Sequence, residues 1–161
     1  MGRSHRHNLY RRGGVNEERK APRVDTSATV LPTVLLVEDD APTRRFYRDA
    51  LAEAGFDVHE AASGREALIQ GEATRPVAVI ADLGLPDFDG FEVCRQLKLQ
   101  PWSRDTPVIA ITGRAMALRD IELADEVGFE AVLIKPCPPE TLVTAIRKAL
   151  RDGTRKRSSS R

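Results

Sequence analysis

With 161 residues, 41% of them hydrophobic, and a net charge of +1, the chain can build one ordinary core and is too short for two full-sized domains. No apolar run approaches the roughly 20 residues that span a bilayer, and the basic start leads into no apolar signal segment. Met1-Gly2-Arg3-Ser4-His5-Arg6 has Arg where a myristoylation pattern needs Ser or Thr, so a soluble, cytoplasmic protein without a membrane anchor is expected.

The small net charge hides a segregated distribution. Residues 1–32 carry +4 and residues 151–161 another +4, around a body of −7. Both ends are rich in Arg, Ser and Gly and show no helical or strand period, so they cannot offset the entropy of ordering. The expected organisation is a disordered basic tail over 1–32, one globular domain over 33–151, and a second disordered basic tail over 152–161. Cys94 and Cys137 form neither a Cys-x-x-Cys pair nor a zinc spacing and are expected to be reduced thiols.

In chain order, Val34 to Val37 is a short continuous apolar run of the kind that forms a strand covered on both faces. A helix follows, with Pro42 in its first turn and Phe46, Ala50, Leu51 and Ala54 on one face; Gly55 stands where a C-terminal cap is wanted. Phe56 to Ala61 alternates apolar with polar residues and predicts a half-exposed edge strand. Ser63-Gly64-Arg65-Glu66 is a capping box that opens a second helix running to about Ala73. Val77 to Ala81, Val108 to Ile111 and Val132 to Ile134 predict three more strands. Helices are expected at about Gly90 to Leu99, Met116 to Val127 and Glu140 to Arg151. Five strands alternating with five helices, joined by right-handed crossovers, define an open α/β sheet with helices on both faces.

Such sheets bind ligands beyond the carboxyl ends of their strands. Glu38, Asp39 and Asp40 follow the first strand, the third ends in Asp82, the fourth in Thr112-Gly113 and the fifth in Lys135-Pro136, so all converge on one rim. Carboxylates of Glu38, Asp39 and Asp82 at ~5 Å and an effective dielectric of ~20 repel by about 3 kcal/mol per pair. A hard divalent cation with oxygen ligands, of which Mg²⁺ is the type, relieves that repulsion. Lys135 adds a positive charge and Thr112 a hydroxyl. An aspartate beside Mg²⁺ and a lysine is equipped to attack phosphorus, because phosphoryl transfer needs chiefly alignment and charge neutralisation. Asp82 would then become an acyl phosphate.

Over Thr33 to Leu150 the segments Val34-Leu35-Leu36-Val37-Glu38-Asp39-Asp40, Ala81-Asp82-Leu83-Gly84-Leu85-Pro86-Asp87-Phe88-Asp89-Gly90, Ile111-Thr112-Gly113 and Ile134-Lys135-Pro136 resemble the receiver domain of bacterial two-component response regulators. The order and spacing of the four segments together carry the resemblance. It implies a flavodoxin-like (CheY-like), doubly wound, five-stranded parallel sheet of order 2-1-3-4-5 with five helices. It also implies a phosphoprotein rather than an enzyme of the ordinary kind. Asp82 would receive its phosphoryl group from a sensor histidine kinase or a phosphotransfer protein. Mg²⁺ would be held by Asp39, Asp82 and the carbonyl of Gly84, with Glu38 acting through water, and Thr112 and Lys135 would meet the phosphoryl oxygens. With only Asp152 to Arg161 after the domain, a stand-alone regulator signalling through protein contacts to a downstream target is expected.

Val132 stands where many receivers carry a switching Tyr or Phe, and Cys137 where a Phe is frequent. By the same resemblance Gly84 and Arg114 face the path of a hydrolysing water; neither acts as a base, which implies a phosphoryl group lost slowly. A receiver-like interaction module that works without phosphorylation is the alternative. Nucleic-acid binding through the Arg-rich ends is opposed by the acidic body. A nucleotide-binding glycine loop is absent after the first strand, and Gly84 stands where a phosphohydrolase of the acyl-phosphate type has its second acid.

Overall fold

The computed structural model describes residues 29–113 and 118–158, with the side chains of 118–121 and of 156–157 left aside. In chain order the elements are β1 (Thr33–Val37), α1 (Ala41–Glu53), β2 (Asp57–Ala61), α2 (Gly64–Thr74), β3 (Ala78–Asp82), α3 (Gly90–Leu99), a 3-10 turn at Pro101–Ser103, β4 (Val108–Thr112), α4 (Leu118–Val127), β5 (Ala131–Ile134) and α5 (Pro139–Ser158). The strands form one sheet of order β2-β1-β3-β4-β5, parallel throughout. This is the doubly wound, CheY-like arrangement of order 2-1-3-4-5 with five helices.

Because successive strand residues point to opposite faces, each central strand supplies two cores. Val34 and Leu36 of β1, Ile80 of β3 and Ile109 and Ile111 of β4 pack with Tyr47 and Leu51 of α1 and Leu142 and Ile146 of α5. Leu35, Val37, Val79 and Ala81 face the other way, onto Ala67 of α2 and Val93, Cys94 and Leu97 of α3. Burial on both faces is why these strands read as unbroken apolar runs. Cys94 is buried and free, and its burial pushes the thiol up to about 12.

Local chemistry starts and stops the helices. Asp40 caps α1 by accepting from the Thr43 N–H at 3.0 Å, and Pro42 occupies the first turn. Ser63 accepts from the Glu66 N–H at 3.2 Å, while Glu66 reaches back to the N–H of Ala62 at 2.8 Å, one residue before the cap. Gly55, at φ 95°, makes the left-handed turn between α1 and β2.

Four differences from the sequence expectation have physical causes. Phe46 lies 57% exposed, whereas Tyr47 is buried. The inward stripe of α1 therefore runs through Tyr47 and Leu51, one helical turn apart, and Phe46 only leans on the Tyr47 ring at 5.5 Å. Phe56 precedes β2; it is buried in the α1/α5 core and donates its N–H to the carbonyl of Leu51. Val77 is 41% exposed and precedes β3, which begins at Ala78 and ends, as expected, in Asp82. Finally, α5 continues through Ser158, so residues 152–158, expected as disordered tail, are helical. A helix anchored by packed residues needs no new nucleus to extend, and the Arg- and Lys-rich end suits the negative pole of its dipole. Lys148 and Asp152 add an i,i+4 pair at 3.9 Å. Residues 1–28 of the expected tail over 1–32, and the expected helix start at Met116, lie outside the described residues.

Gly90, the first residue of α3, presses against the strand end that carries Asp82. A Cβ there would come within 2.8 Å of the Asp82 carbonyl oxygen and would also overlap the Leu83 backbone. We expect Gly90→Ala to lower the unfolding free energy by about 2–3 kcal/mol, read from urea denaturation.

Candidate functional site

Parallel register assembles the site. Val37 pairs with Ala81, Asp82 with Ile111, and Thr112 with Ile134, so the ends of β1, β3, β4 and β5 lie within two residues of one level. The next residues of β1 and β5, Glu38 and Lys135, therefore meet Asp82 and Thr112 at the rim. The main chain continues the alignment beyond the strands, with Leu83 N–H donating to Ile111 and Lys135 N–H to Thr112 at 2.8 Å.

Lys135 lies between two acids. Its Nζ donates to Glu38 Oε2 at 2.6 Å and to Asp82 Oδ2 at 2.7 Å. Glu38 and Asp82 are buried, whereas Asp39 is exposed on the open side. Glu38, Asp39 and Asp82 each place a carboxylate oxygen within 4.8 Å of the others. The second oxygens of the buried acids are held too: Asp82 Oδ1 accepts the Gly84 N–H at 2.8 Å and Glu38 Oε1 the Asp40 N–H at 3.1 Å. Thr112 is buried at the end of β4.

The charges answer one another. Burial raises the Glu38 carboxyl above its ordinary range, opposed by the hydrogen bonds from Lys135 and Asp40. Burial also works against the charge on Lys135. The hydrogen bonds to Asp82 and Glu38 outweigh it, so the ammonium is held above its ordinary value. One cation thus serves two buried carboxylates, and the third remains on the solvent side. Three hard oxygen donors around one point suit a hard divalent cation better than a soft metal.

Of the residues expected from sequence, Glu38, Asp39, Asp82, Gly84, Thr112 and Lys135 are gathered at this rim; Arg114 lies outside the described residues. Val132 is part-buried against the cluster of Leu83, Phe91 and Ala110. Two supporting contacts escaped sequence reasoning. The Tyr47 hydroxyl, buried under α1, donates to the carbonyl of Cys137 at 3.1 Å, just past the cis Lys135–Pro136 peptide. Asp87, in the loop after β3, accepts from the N–H groups of Gly64 and Arg65 at 2.8 and 3.0 Å. It thereby ties the loop after Asp82 to the start of α2. Partners some twenty and ninety positions apart leave no spacing signal.

A doubly wound α/β sheet with an acid cluster and a lysine at its switch point defines the class of protein. The model of the response regulator receiver domain matches residues 34–147, and the chain belongs to that family of two-component systems. It is 38% identical over 121 residues to the KDP operon transcriptional regulatory protein KdpE of Escherichia coli, covering 75% of this chain and 52% of that protein. It is 34% identical over 130 residues to the transcriptional regulatory protein AfsQ1 of Streptomyces coelicolor, covering 81% of this chain and 56% of that protein. The chain thus spans about half the length of the curated relatives it matches. Among solved structures, the chemotaxis response regulator CheY4 of Vibrio cholerae matches with a TM-score of 0.69 and 30% identity, covering 74% of this chain and 98% of that one. A CheY-like receiver domain protein from Methanospirillum hungatei matches with a TM-score of 0.73 and 25% identity, over 78% and 98% of the two chains. The matched segment is thus a receiver domain, a phosphoacceptor module. Among the described residues no helix is long and apolar enough to cross a membrane.

The Asp87 contact can be read through its pH dependence. The N–H groups of Arg65 and Gly64 hold its carboxyl below the ordinary range. A depressed carboxyl contributes stability above the unfolded-state value and loses it as the pH falls through the folded-state value. Asp87→Ala is expected to melt below the parent at neutral pH, with the gap narrowing as the pH drops below about 4. Calorimetric melting curves at several pH values check this; a gap of constant size would assign the loss to something other than the ionised cap.

Proposed function

We propose that Asp82 accepts a phosphoryl group from a sensor histidine kinase or a phosphotransfer protein in a Mg²⁺-dependent reaction. The domain then signals, in the cytoplasm, through protein contacts that depend on phosphorylation. The observation that carries this reading is the placement of Asp82, at the end of a central strand, within 2.7 Å of Lys135 and beside two further carboxylates. Asp39, Asp82 and the carbonyl of Gly84 would hold the ion, with Glu38 acting through water. Bound Mg²⁺ would neutralise charge on the transferring oxygens.

The chain's own groups account for the rest. A carboxylate oxygen of Asp82 attacks phosphorus; the new O–P bond forms as the bond from phosphorus to the donor nitrogen breaks, and the donor histidine departs neutral after taking a proton. The Gly84 N–H fixes one Asp82 oxygen, so the attacking group is aimed before the donor arrives. Lys135 exchanges a carboxylate partner for a phosphoryl oxygen at little cost, because both are anions at hydrogen-bond range. Thr112 lends its hydroxyl to another oxygen of the group.

Asp82→Asn is expected to abolish phosphorylation by acetyl phosphate with Mg²⁺, and Asp39→Ala to slow it while raising the Mg²⁺ requirement. Intact mass decides the matter: undiminished gain of one phosphoryl mass by the Asp82→Asn protein would place the acceptor elsewhere.

The lifetime of the acyl phosphate follows from what flanks it. Gly84 offers no side chain to orient a hydrolysing water, so slow loss is proposed. A Cβ at that position would lie 3.5 Å from Asp82 Oδ1, an ordinary contact distance, so a side chain is accommodated there. Gly84→Asn is expected to speed loss about five- to thirtyfold, equivalent to roughly 1–2 kcal/mol of barrier. Decay of the phosphorylated form after donor removal measures it; an unchanged rate would remove Gly84 from the explanation.

A further inference from the structure

The turn between β1 and α1 carries two of the three acids, and one side chain holds its main chain. Arg44, in the first turn of α1, folds its guanidinium back so that Nη1 donates to the carbonyl of Glu38 at 2.8 Å and to that of Asp39 at 3.3 Å. Its Nε donates to Glu60 Oε1 at 3.2 Å. Glu60, near the end of β2, also pairs with Arg48 one helical turn further along α1, at 3.5 Å. The guanidinium is thus pinned between helix and strand before it reaches the turn. Its described hydrogen bonds go to the carbonyls of Glu38 and Asp39, not to their carboxylates. A planar fork of donors can meet two carbonyls and a carboxylate at once; a lysine ammonium has no such fixed geometry.

We infer that Arg44 is a positioning residue for the acid cluster: by holding the carbonyls of Glu38 and Asp39 it sets the directions in which their side chains leave the turn, and so presets the cluster for a divalent cation. The inference rests on the proposed reading of that cluster as the Mg²⁺ site. A plain electrostatic role for Arg44 has the opposite sign. Deleting a positive charge beside three carboxylates, by itself, tightens a dication, whereas deleting the brace loosens it.

Calorimetric titration of Mg²⁺ into the full chain separates the two. Arg44→Ala is expected to bind Mg²⁺ about three- to tenfold more weakly than the parent, as loss of support behind a ligand does. Arg44→Lys keeps the charge without the fork and is expected to be weakened alike. Arg45→Ala removes an equal charge from the neighbouring exposed position and should not weaken binding. Melting curves confirm that each variant is folded; should Arg44→Ala fail to fold, the Arg44→Lys protein carries the test. Unchanged or tighter Mg²⁺ binding by the folded Arg44 variants overturns the positioning role while leaving the proposed function intact. A parent protein that binds no Mg²⁺ overturns the reading of the site itself, and this inference with it.

Discussion

The ammonium of Lys135, hydrogen-bonded to Glu38 and Asp82 at once, is the interaction on which the site depends. Two buried carboxylates side by side would repel strongly at the low effective dielectric of a strand end. Desolvation pushes Glu38 towards its neutral form, and the lysine opposes that push. A buried ion pair of this kind adds little stability by itself, since the cost of removing charges from water offsets much of the attraction. Its consequence is geometric. It draws the ends of β1, β3 and β5 together through side chains that belong to three different strands.

That convergence is possible only because the sheet is parallel throughout. All five strands point the same way, so every carboxyl end lies on one rim, and the crossover helices return the chain to the opposite edge each time. Asp82 sits at the end of a strand buried on both faces, with Leu83 continuing the ladder to Ile111. Asp82, the proposed acceptor, is therefore backed by a strand buried on both faces, while its neighbours Asp39 and the loop after Gly84 face solvent. Firm backing with an open front would let the proposed donor protein reach a pre-aligned carboxylate.

The loops around the rim are braced by contacts that reach back into the helices. Asp87 caps the start of α2, Tyr47 holds the carbonyl beyond Lys135–Pro136, and Arg44 holds the turn that carries the acids. Two of these braces come from α1. Movement of that helix against the sheet would consequently disturb the acid turn and the lysine loop together. On the other face, Val132 packs among Leu83, Phe91 and Ala110, so the β4/β5 side is filled by an aliphatic side chain where an aromatic one is frequent in receivers.

Much of this was legible in the chain alone. The apolar runs of β1, β3 and β4, the Ser63 cap, and the order of Glu38, Asp39, Asp82, Thr112 and Lys135 at strand ends are local patterns. Period and position suffice to read them, because a strand buried on both faces admits few polar residues. The family resemblance followed from the same segments. What only the tertiary structure decided is set by neighbours distant in sequence. Which of Phe46 and Tyr47 turns inward depends on where α1 lies against α5, and both are apolar enough to satisfy the helical stripe. The continuation of α5 through Ser158 depends on an anchored helix before it, since the polar residues from Asp152 onward supply no apolar stripe of their own. The brace of Arg44 on two carbonyls, and of Asp87 on a helix start more than twenty residues earlier, left no trace in spacing. Hydrogen bonds to backbone groups are indifferent to the side chain of the residue they hold, and so only the folded arrangement of β1, β2 and α1 reveals them.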